Sequence, residues 1–138
     1  MGFEIANQIT SKLHWYIQWD IMKKRILFYK NNRFPVLDFI NAMAKKDQAK
    51  ALACLKNIED LGFDSPRVRF RQIKGKLWEI KIYISNTSCR FFYVSLHGEV
   101  LVLLHAYKKQ SQKTPNKEIA IAQKRLLEVL KNENDYIK

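Results

Sequence analysis

"LWEIKIYISNTSCRFFYVSLHGEVLVLLHAY" (residues 77–107) is the stretch that decides the fold. It holds three runs rich in β-branched and aromatic residues, at 77–84, 89–96 and 99–107. The sequences SNTS and HG separate these runs, and both are typical of tight turns. Because such short connections join antiparallel neighbours, the stretch predicts a three-stranded antiparallel meander.

Two helices are predicted on the N-terminal side of this meander. Residues 34–45 and 47–61 carry apolar residues at helical spacing, and the short connection between them predicts a helical hairpin. Asp47 is the predicted N-cap of the second helix, and Gly62 is its predicted stop. Residues 24–30 predict a short strand before the hairpin. Residues 67–73 fit either a further strand or an irregular basic stretch.

A third helix is predicted after the meander. Thr114 is its expected N-cap and Pro115 its first residue, and one apolar stripe follows through Ile119, Ala122, Leu126 and Leu130. The whole pattern predicts an α+β domain over residues 22–138. In it, the helical hairpin packs on a mainly antiparallel, twisted sheet of about four strands, and a C-terminal helix follows.

Residues 1–21 form an N-terminal extension to this domain. Their apolar residues fit one face of a helix, so the extension is predicted to be helical. Two interpretations stay open, a leader helix packed on the domain and an upstream extension with no role.

Composition indicates a folded protein rather than a disordered or membrane-spanning one. Hydrophobic residues make up 47% of the 138 residues, yet no apolar run approaches the ~20 residues of a membrane helix. Polar residues interrupt the N-terminal extension, which excludes a secretory signal. Cys54 and Cys89 form no disulfide or metal-binding motif and are predicted as small core residues. We therefore expect a cytoplasmic protein without metal or other cofactor.

Positive charge is concentrated in one half of the chain. The net charge is +12, and residues 65–113 contain ten basic residues against two acidic ones. A basic surface of this kind favours a polyanionic partner, and nucleic acid is the usual one. A solubilising face without a partner is the alternative.

Turn lengths predict which side chains of the meander share a face. A two-residue turn at residues 97–98 and a loop at 85–88 place Tyr83, Arg90 and His105 in one row across three strands. Further residues on that face are Glu79, Lys81 and Tyr107. The opposite face is predicted to be core, with members Trp78, Ile80, Ile82, Ile84, Phe91, Tyr93, Val100, Val102 and Leu104.

Such a row matches the requirements of RNA cleavage by a ribose 2′-OH. That reaction needs a base for the hydroxyl proton, cations for the developing charge and a proton donor for the 5′ oxygen. Arg90 suits the phosphate because its planar fork can hold two oxygens. His105 can act as acid or base near neutral pH, and Glu79 is the alternative base. The alternatives are a structural histidine at a strand end and a Glu79 that only forms a salt bridge.

Several segments together resemble the HigB branch of the RelE/ParE toxin superfamily. They are "KRILFYK", "PVLDFI", "KKDQAKALACLKNIEDLG", "LWEIKI", "CRFFYV" and "VLLHAYKKQSQKTPNKEIAIAQKR", and they extend from Met22 to about Leu130. The resemblance implies a type II toxin with a HigA-like helix-turn-helix antitoxin as its partner. It also implies an mRNA endonuclease that acts in the ribosome and needs no metal.

The resemblance adds roles to individual residues. Arg90 matches a recurrent R-x-x-Y strand position, and His105 with the lysines that follow matches the pattern of this branch. Expected catalytic residues are therefore Arg90, His105 and Glu79. Expected RNA-binding residues are Arg71, Lys81, Tyr83, Tyr107, Lys108, Lys109 and Lys113. Two rival functions are a ParE-like inhibitor of gyrase and a non-catalytic nucleic-acid-binding protein.

Overall fold

A computed structural model describes residues 24–109 and 115–137 of the chain. Predictions for residues 1–21, Lys113 and Thr114 fall outside these ranges. The secondary structure, in chain order, is β1 (Arg25–Phe28), α1 (Pro35–Asn41), α2 (Lys45–Leu61), β2 (Val68–Lys74), β3 (Leu77–Ile84), β4 (Thr87–Leu96), β5 (Val100–Lys108) and α3 (Asn116–Lys131). Within the described ranges, no helix has the length and apolar character needed to cross a membrane.

The five strands form one mixed sheet in the order β1-β5-β4-β3-β2. Strands β2 to β5 are antiparallel neighbours, and β1 pairs in parallel with β5. The predicted α+β fold is therefore confirmed. The sheet has one strand more than the sequence predicted, because the ambiguous basic stretch after Gly62 pairs with β3 as the edge strand β2.

The helical hairpin covers one face of this sheet, as predicted. Its buried side chains from α1 and α2 include Val36, Ile40, Ala51, Leu55 and Ile58. The sheet residues packed against them include Ile80, Ile82, Ile84, Cys89, Phe91, Tyr93, Leu101 and Leu103. The prediction that Cys54 and Cys89 are core residues is confirmed, since both thiols are buried.

Helix α3 covers part of the opposite face and forms a second core there. Ala122, Leu126 and Val129 are its buried residues, in agreement with the predicted stripe. Their sheet partners include Leu77, Phe92, Val94, Val102 and Leu104. The prediction that Val100, Val102 and Leu104 are core residues is confirmed, but the prediction that they share a face with Ile80 and Phe91 is wrong, because the turn before β5 is longer than expected.

That turn contains three residues, His97, Gly98 and Glu99, so Leu96 pairs with Val100. His97 and Gly98 both have positive φ angles, 53° and 77°. The additional turn residue reverses which β5 side chains face the hairpin. A bulge between Leu103 and His105 then reverses them again.

The turn between β3 and β4 also differs from the prediction. Ser85 and Asn86 form a two-residue turn with φ angles of 50° and 64°, and Ile84 pairs with Thr87. Positive φ at both central residues is the geometry that suits the twist of a hairpin. The predicted pairs are therefore displaced by two residues, so Tyr83 lies opposite Ser88 and not Arg90.

Two helix starts need correction as well. Helix α2 begins at Lys45, so Asp47 lies in its first turn and is not the N-cap. An acidic residue in the first turn still interacts favourably with the helix dipole. Pro115 is the N-cap of α3 and not its first residue.

Candidate functional site

The predicted single row of site residues is replaced by three rows on the face that α3 partly covers. Lys81 pairs with Arg90 and Arg90 pairs with Tyr107, so these three form the central row. One row aligns Arg71, Glu79, Phe92 and His105, and the other aligns Tyr83, Ser88 and Lys109. The predicted sharing of one face is confirmed, whereas the predicted contact between Arg90 and His105 across the strands is wrong.

Glu79 lies at the centre of the cationic side chains. Its side chain is 1% exposed, and Oε1 accepts a hydrogen bond from Nη1 of Arg90 at 2.7 Å. A second guanidinium approaches the same oxygen, with Nη2 of Arg71 at 3.4 Å. Buried carboxylates are stable only when they are paired in this way. Glu79 thereby holds two arginines in place.

Arg90 is fixed from both ends of its guanidinium. Its Nε donates to Oγ of Ser88 at 3.0 Å, while Nη1 donates to Glu79. The guanidinium has five N–H donors, so the two bonds leave donors for a phosphate. A neighbouring surface depression is lined on this face by Arg69, Arg71, Lys81 and Arg90. This arrangement can hold an anion with little rearrangement.

Lys109 follows the last residue of β5 and joins this cationic group. Its backbone N–H donates to the carbonyl of Ser88 at 2.8 Å, which continues the strand pairing by one residue. Burial lowers the pKa of the Lys109 ammonium, and the nearby positive charges of Arg90, Arg71 and Lys81 lower it further, against an opposing effect of Glu79.

An aromatic surface lies at the exposed end of this face. Tyr83 is 57% exposed, and Nζ of Lys81 lies 5.1 Å from the centre of its ring. A ring with one accessible face can stack on an RNA base, a contact that contributes ~1–3 kcal/mol in single-strand binding. Lys108 is exposed as well, whereas Tyr107 is buried between the sheet and its neighbours.

His105 is held by the C-terminal helix rather than by the cationic group. Its Nε2 lies 2.6 Å from Oε1 of Glu118, and its Nδ1 lies 3.4 Å from Nη1 of Arg125. Because Arg125 can only donate, Nδ1 must accept and Nε2 must carry the proton. The ring also stacks parallel to Phe92, with centroids 6.2 Å apart. Both ring nitrogens are thus engaged within the protein.

The bulge next to His105 explains why α3 docks at this point. Leu104 is the additional residue, and Nη1 of Arg125 donates to its carbonyl oxygen at 2.9 Å. A bulge leaves a backbone group without its ladder partner, and a buried carbonyl needs a donor. Arg125 supplies that donor and so ties α3 to β5.

Replacing His105 by glutamine is expected to make the unfolding free energy fall less steeply than in wild type as the pH is lowered. Burial lowers the pKa of His105, opposed by its bond to Glu118, so the unfolded chain takes up a proton first as the pH falls. This contribution to the unfolding free energy is complete above the unfolded pKa of about 6.5 and is lost as the pH falls through the folded pKa. The unfolding free energies of the two proteins, measured with urea at several pH values, should differ in their slope against pH by up to about 1.4 kcal/mol per pH unit. Parallel stability curves would show that His105 does not carry this dependence.

Sequence reasoning missed three residues of the site. Ser88 was assigned to a loop, although it lies on β4 and contacts Arg90. Glu118 and Arg125 are absent from the predicted site, yet their seven-residue spacing places both on the same side of α3 as the apolar stripe. Polar residues beside an apolar stripe were the signal that could have identified them. Among the described residues, no group of three or more His, Cys, Asp or Glu side chains could hold a metal ion.

Comparison with known proteins identifies the family. Residues 38–127 match the sequence model described as "Phage derived protein Gp49-like (DUF891)". No curated protein matches the chain. The matched region extends from α1 to α3 and includes every site residue described above. The match covers more than half of the chain. The Gp49-like family is a family of toxins, and such toxins act with an antitoxin partner. The chain therefore belongs to the phage-derived Gp49-like family of RelE/HigB-like toxins.

Proposed function

We propose that the protein is a HigB-type toxin that cleaves translated mRNA in the ribosome without a metal ion. The observation that carries this proposal is the group of Arg71, Lys81, Arg90 and Lys109 around the buried Glu79. A concentrated positive charge with prearranged donors stabilises a phosphate that gains negative charge during the reaction. Family membership supports a toxin–antitoxin role, and a HigA-like antitoxin is the proposed partner.

Arg90 is the residue proposed to bind the scissile phosphate. It is already oriented by Ser88 and Glu79, so binding would cost little conformational entropy. Arg71 and Lys81 would share the negative charge that develops on the phosphate. Glu79 is buried, accepts a hydrogen bond from Arg90 and forms an ion pair with Arg71, so it is proposed as a positioning residue and not as the base. His105 is proposed as a support for this strand end, since Glu118 and Arg125 occupy its nitrogens.

The exposed part of the face is proposed to bind the RNA chain. Tyr83 would stack on one base, and Lys108 would contact a phosphate beyond the strand end. Tyr107 is buried, so it is proposed to support this surface by packing beneath the exposed residues. Lys113 was predicted for the same role but lies outside the described residues.

Reversing the charge of Lys108 and Lys109 to glutamate is expected to weaken RNA and ribosome binding. Each lost phosphate contact reduces the steepness of the plot of log K against log salt concentration by about 0.7–0.9. The slope of the double variant should therefore be smaller than that of wild type by roughly 1.4–1.8. Binding to ribosomes, measured at several salt concentrations, tests this expectation. The matched control is the reversal of Lys46 and Lys50, which are exposed on α2 on the other side of the sheet. Equal losses in both double variants would show that only the net charge matters.

Two parallel assays separate the proposal from its rivals. One measures protein synthesis and mRNA integrity in a purified translation system, and the other measures DNA supercoiling by gyrase. The proposal predicts shortened mRNA and unaffected gyrase. Inhibited supercoiling with intact mRNA would favour a ParE-like toxin. Binding to RNA with neither effect would favour a non-catalytic nucleic-acid-binding protein.

A further inference from the structure

We propose that the N-terminal extension, residues 1–21, forms an amphipathic helix that packs against an aromatic groove beside the edge strand β2. This groove lies on the hairpin face of the sheet, whereas the cationic group of the proposed RNA site lies on the other face. The proposed contact therefore goes beyond the proposed function and does not depend on it. Of the two interpretations of the extension, it corresponds to a leader helix packed on the domain.

The aromatic groove is the part of the surface depression that lies on the hairpin face. It consists of Phe63, Val68, Phe70, Trp78, Tyr93 and Ser95. Side chains of β2 alternate between the two faces, so Val68 and Phe70 pack against the hairpin core while Arg69 between them points the other way. Phe70 contacts Phe63 edge to face, with ring centres 4.9 Å apart, and Phe63 is 53% exposed. Exposed apolar surface of this kind, bordered by charge, is typical of a docking site.

The aromatic groove also borders the edge of the sheet. Strand β2 is the last strand in the sheet order, and among the described residues only β3 pairs with it. Natural proteins commonly cover such an edge with a helix or a loop, because an unpaired edge can pair with other chains. An element packed on Phe63 and Phe70 would therefore shield the edge of β2 as well as the aromatic rings.

The described part of the chain begins next to this groove. The backbone N–H of Lys24 donates to the carbonyl oxygen of Glu59, near the end of α2, at 2.9 Å. The Lys24 side chain is buried, and its Nζ donates to the carbonyl oxygen of Gly98 at 2.6 Å. The same Nζ lies 5.0 Å from the centre of the Phe63 ring. Residues 22 and 23 therefore connect the extension to a point that lies against the aromatic groove.

The extension has the length and the apolar pattern to reach the groove. As a helix, residues 5–17 would measure about 20 Å. Residues 18–23 span up to about 20 Å when extended, which is enough for the chain to turn back over Phe63. The apolar residues that share one face of this helix are Ile5, Ile9, Leu13, Tyr16 and Ile17. A helix of this length is marginal in water on its own, so it needs an apolar surface to pack against.

Charge favours the extension over a second copy of the chain as the occupant of the groove. The extension carries Glu4 and Asp20 against Lys12, a net charge of −1 in a chain whose total is +12. The rim of the depression includes the side chains of Arg69 and Arg71, which attract an acidic segment and repel another basic domain. The extension thus fits the groove both in its apolar pattern and in its charge.

Hydrogen–deuterium exchange of the full-length protein tests the docking. Amides of residues 5–17 should exchange at least about tenfold more slowly than in an unfolded chain, because a docked helix exchanges only after it opens. Phe63→Glu should remove this protection, since it replaces an apolar ring by a charge that repels the acidic extension. The control Leu52→Glu, at an exposed position on α2 outside the groove, should keep the protection. Unfolded exchange rates in the wild type, or protection that persists in Phe63→Glu, would overturn the proposal.

Disulfide formation in the full-length protein gives an independent readout. The pair Leu13→Cys and Phe63→Cys should form an intramolecular disulfide at least about tenfold faster than the pair Ser11→Cys and Phe63→Cys. Ser11 lies on the opposite face of the helix and has nearly the same tether. Native Cys54 and Cys89 are buried and should compete little. Equal rates would indicate a tethered but undocked extension, and disulfides only between two chains would assign the groove to a second copy. Either result would overturn the proposal.

Discussion

Arg90→Lys is expected to lower mRNA cleavage by roughly 10²–10³, the typical cost of losing one donor that stabilises a transition state. A lysine retains the positive charge near Glu79, so the fold should persist. It cannot donate to Ser88 and Glu79 and also hold two phosphate oxygens, as the arginine fork can. The measurement is single-turnover cleavage on programmed ribosomes, with growth of expressing cells as a second readout.

Circular dichroism and urea unfolding provide the control for Arg90→Lys. Its unfolding midpoint should stay much closer to wild type than that of Arg90→Ala, which leaves the Glu79 carboxylate buried without its nearest partner. Lys50→Arg, at an exposed position on α2, serves as the matched surface exchange. A folded Arg90→Lys protein that cleaves mRNA at the wild-type rate would remove Arg90 from the proposed chemistry.

Glu79→Ala is expected to destabilise the protein by about 3–5 kcal/mol, the usual cost of removing one partner of a buried ion pair. The side chain of Arg90 is 10% exposed and would lose its carboxylate acceptor. Arg71 would also lose its contact with that carboxylate, but its side chain is more than half exposed and can be hydrated. Urea unfolding at neutral pH measures the loss.

A double-mutant cycle isolates the contribution of the pair itself. Glu79→Leu combined with Arg90→Met removes both charges and should recover much of the stability lost in either single variant. The stability of Glu79→Gln should lie between that of wild type and that of Glu79→Ala, since the amide oxygen of the glutamine can still accept a hydrogen bond from Arg90. Single variants within about 1 kcal/mol of wild type would show that the pair contributes little.

The sequence predicted most of the fold because the helices and strands have clear periods. The helical stripes of α1, α2 and α3 and the apolar runs of β3 to β5 lie where the pattern places them, with ends displaced by a few residues. The sequence of β2 was ambiguous because its arginines alternate with only a few apolar residues. This pattern is typical of an exposed edge strand. Its identity depends on pairing with β3, which is a tertiary interaction.

Strand register was the part that the sequence could not determine. "SNTS" and "HG" indicate turns, but they do not state how many residues each turn contains. The bulge at Leu104 has no local sequence signal, and the donor to its carbonyl oxygen, Arg125, lies 21 residues further along the chain. The additional turn residue and the bulge shift the β5 side chains in compensating ways. His105 and Tyr107 therefore share a face with Arg90 although the predicted pairs were wrong.

The chemical roles of individual side chains could not be predicted fully either, because they depend on tertiary contacts. Arg90 was singled out because a charge within an aromatic strand must be paired or functional, and it is paired with Glu79. His105 looked equally suitable in sequence, yet its neighbours Glu118 and Arg125 come from a helix whose docking no strand pattern predicts. Burial and partners, more than residue type, separate the two.

The most direct test is primer extension on one reporter mRNA, with and without ribosomes, using wild-type protein and Arg90→Lys. We expect new 5′ ends only when ribosomes translate the message and only with wild-type protein. The upstream fragments should carry 2′,3′-cyclic phosphates. Full-length mRNA in every reaction, while the wild-type protein still arrests growth, would show that this toxin is not a ribosome-dependent mRNA endonuclease.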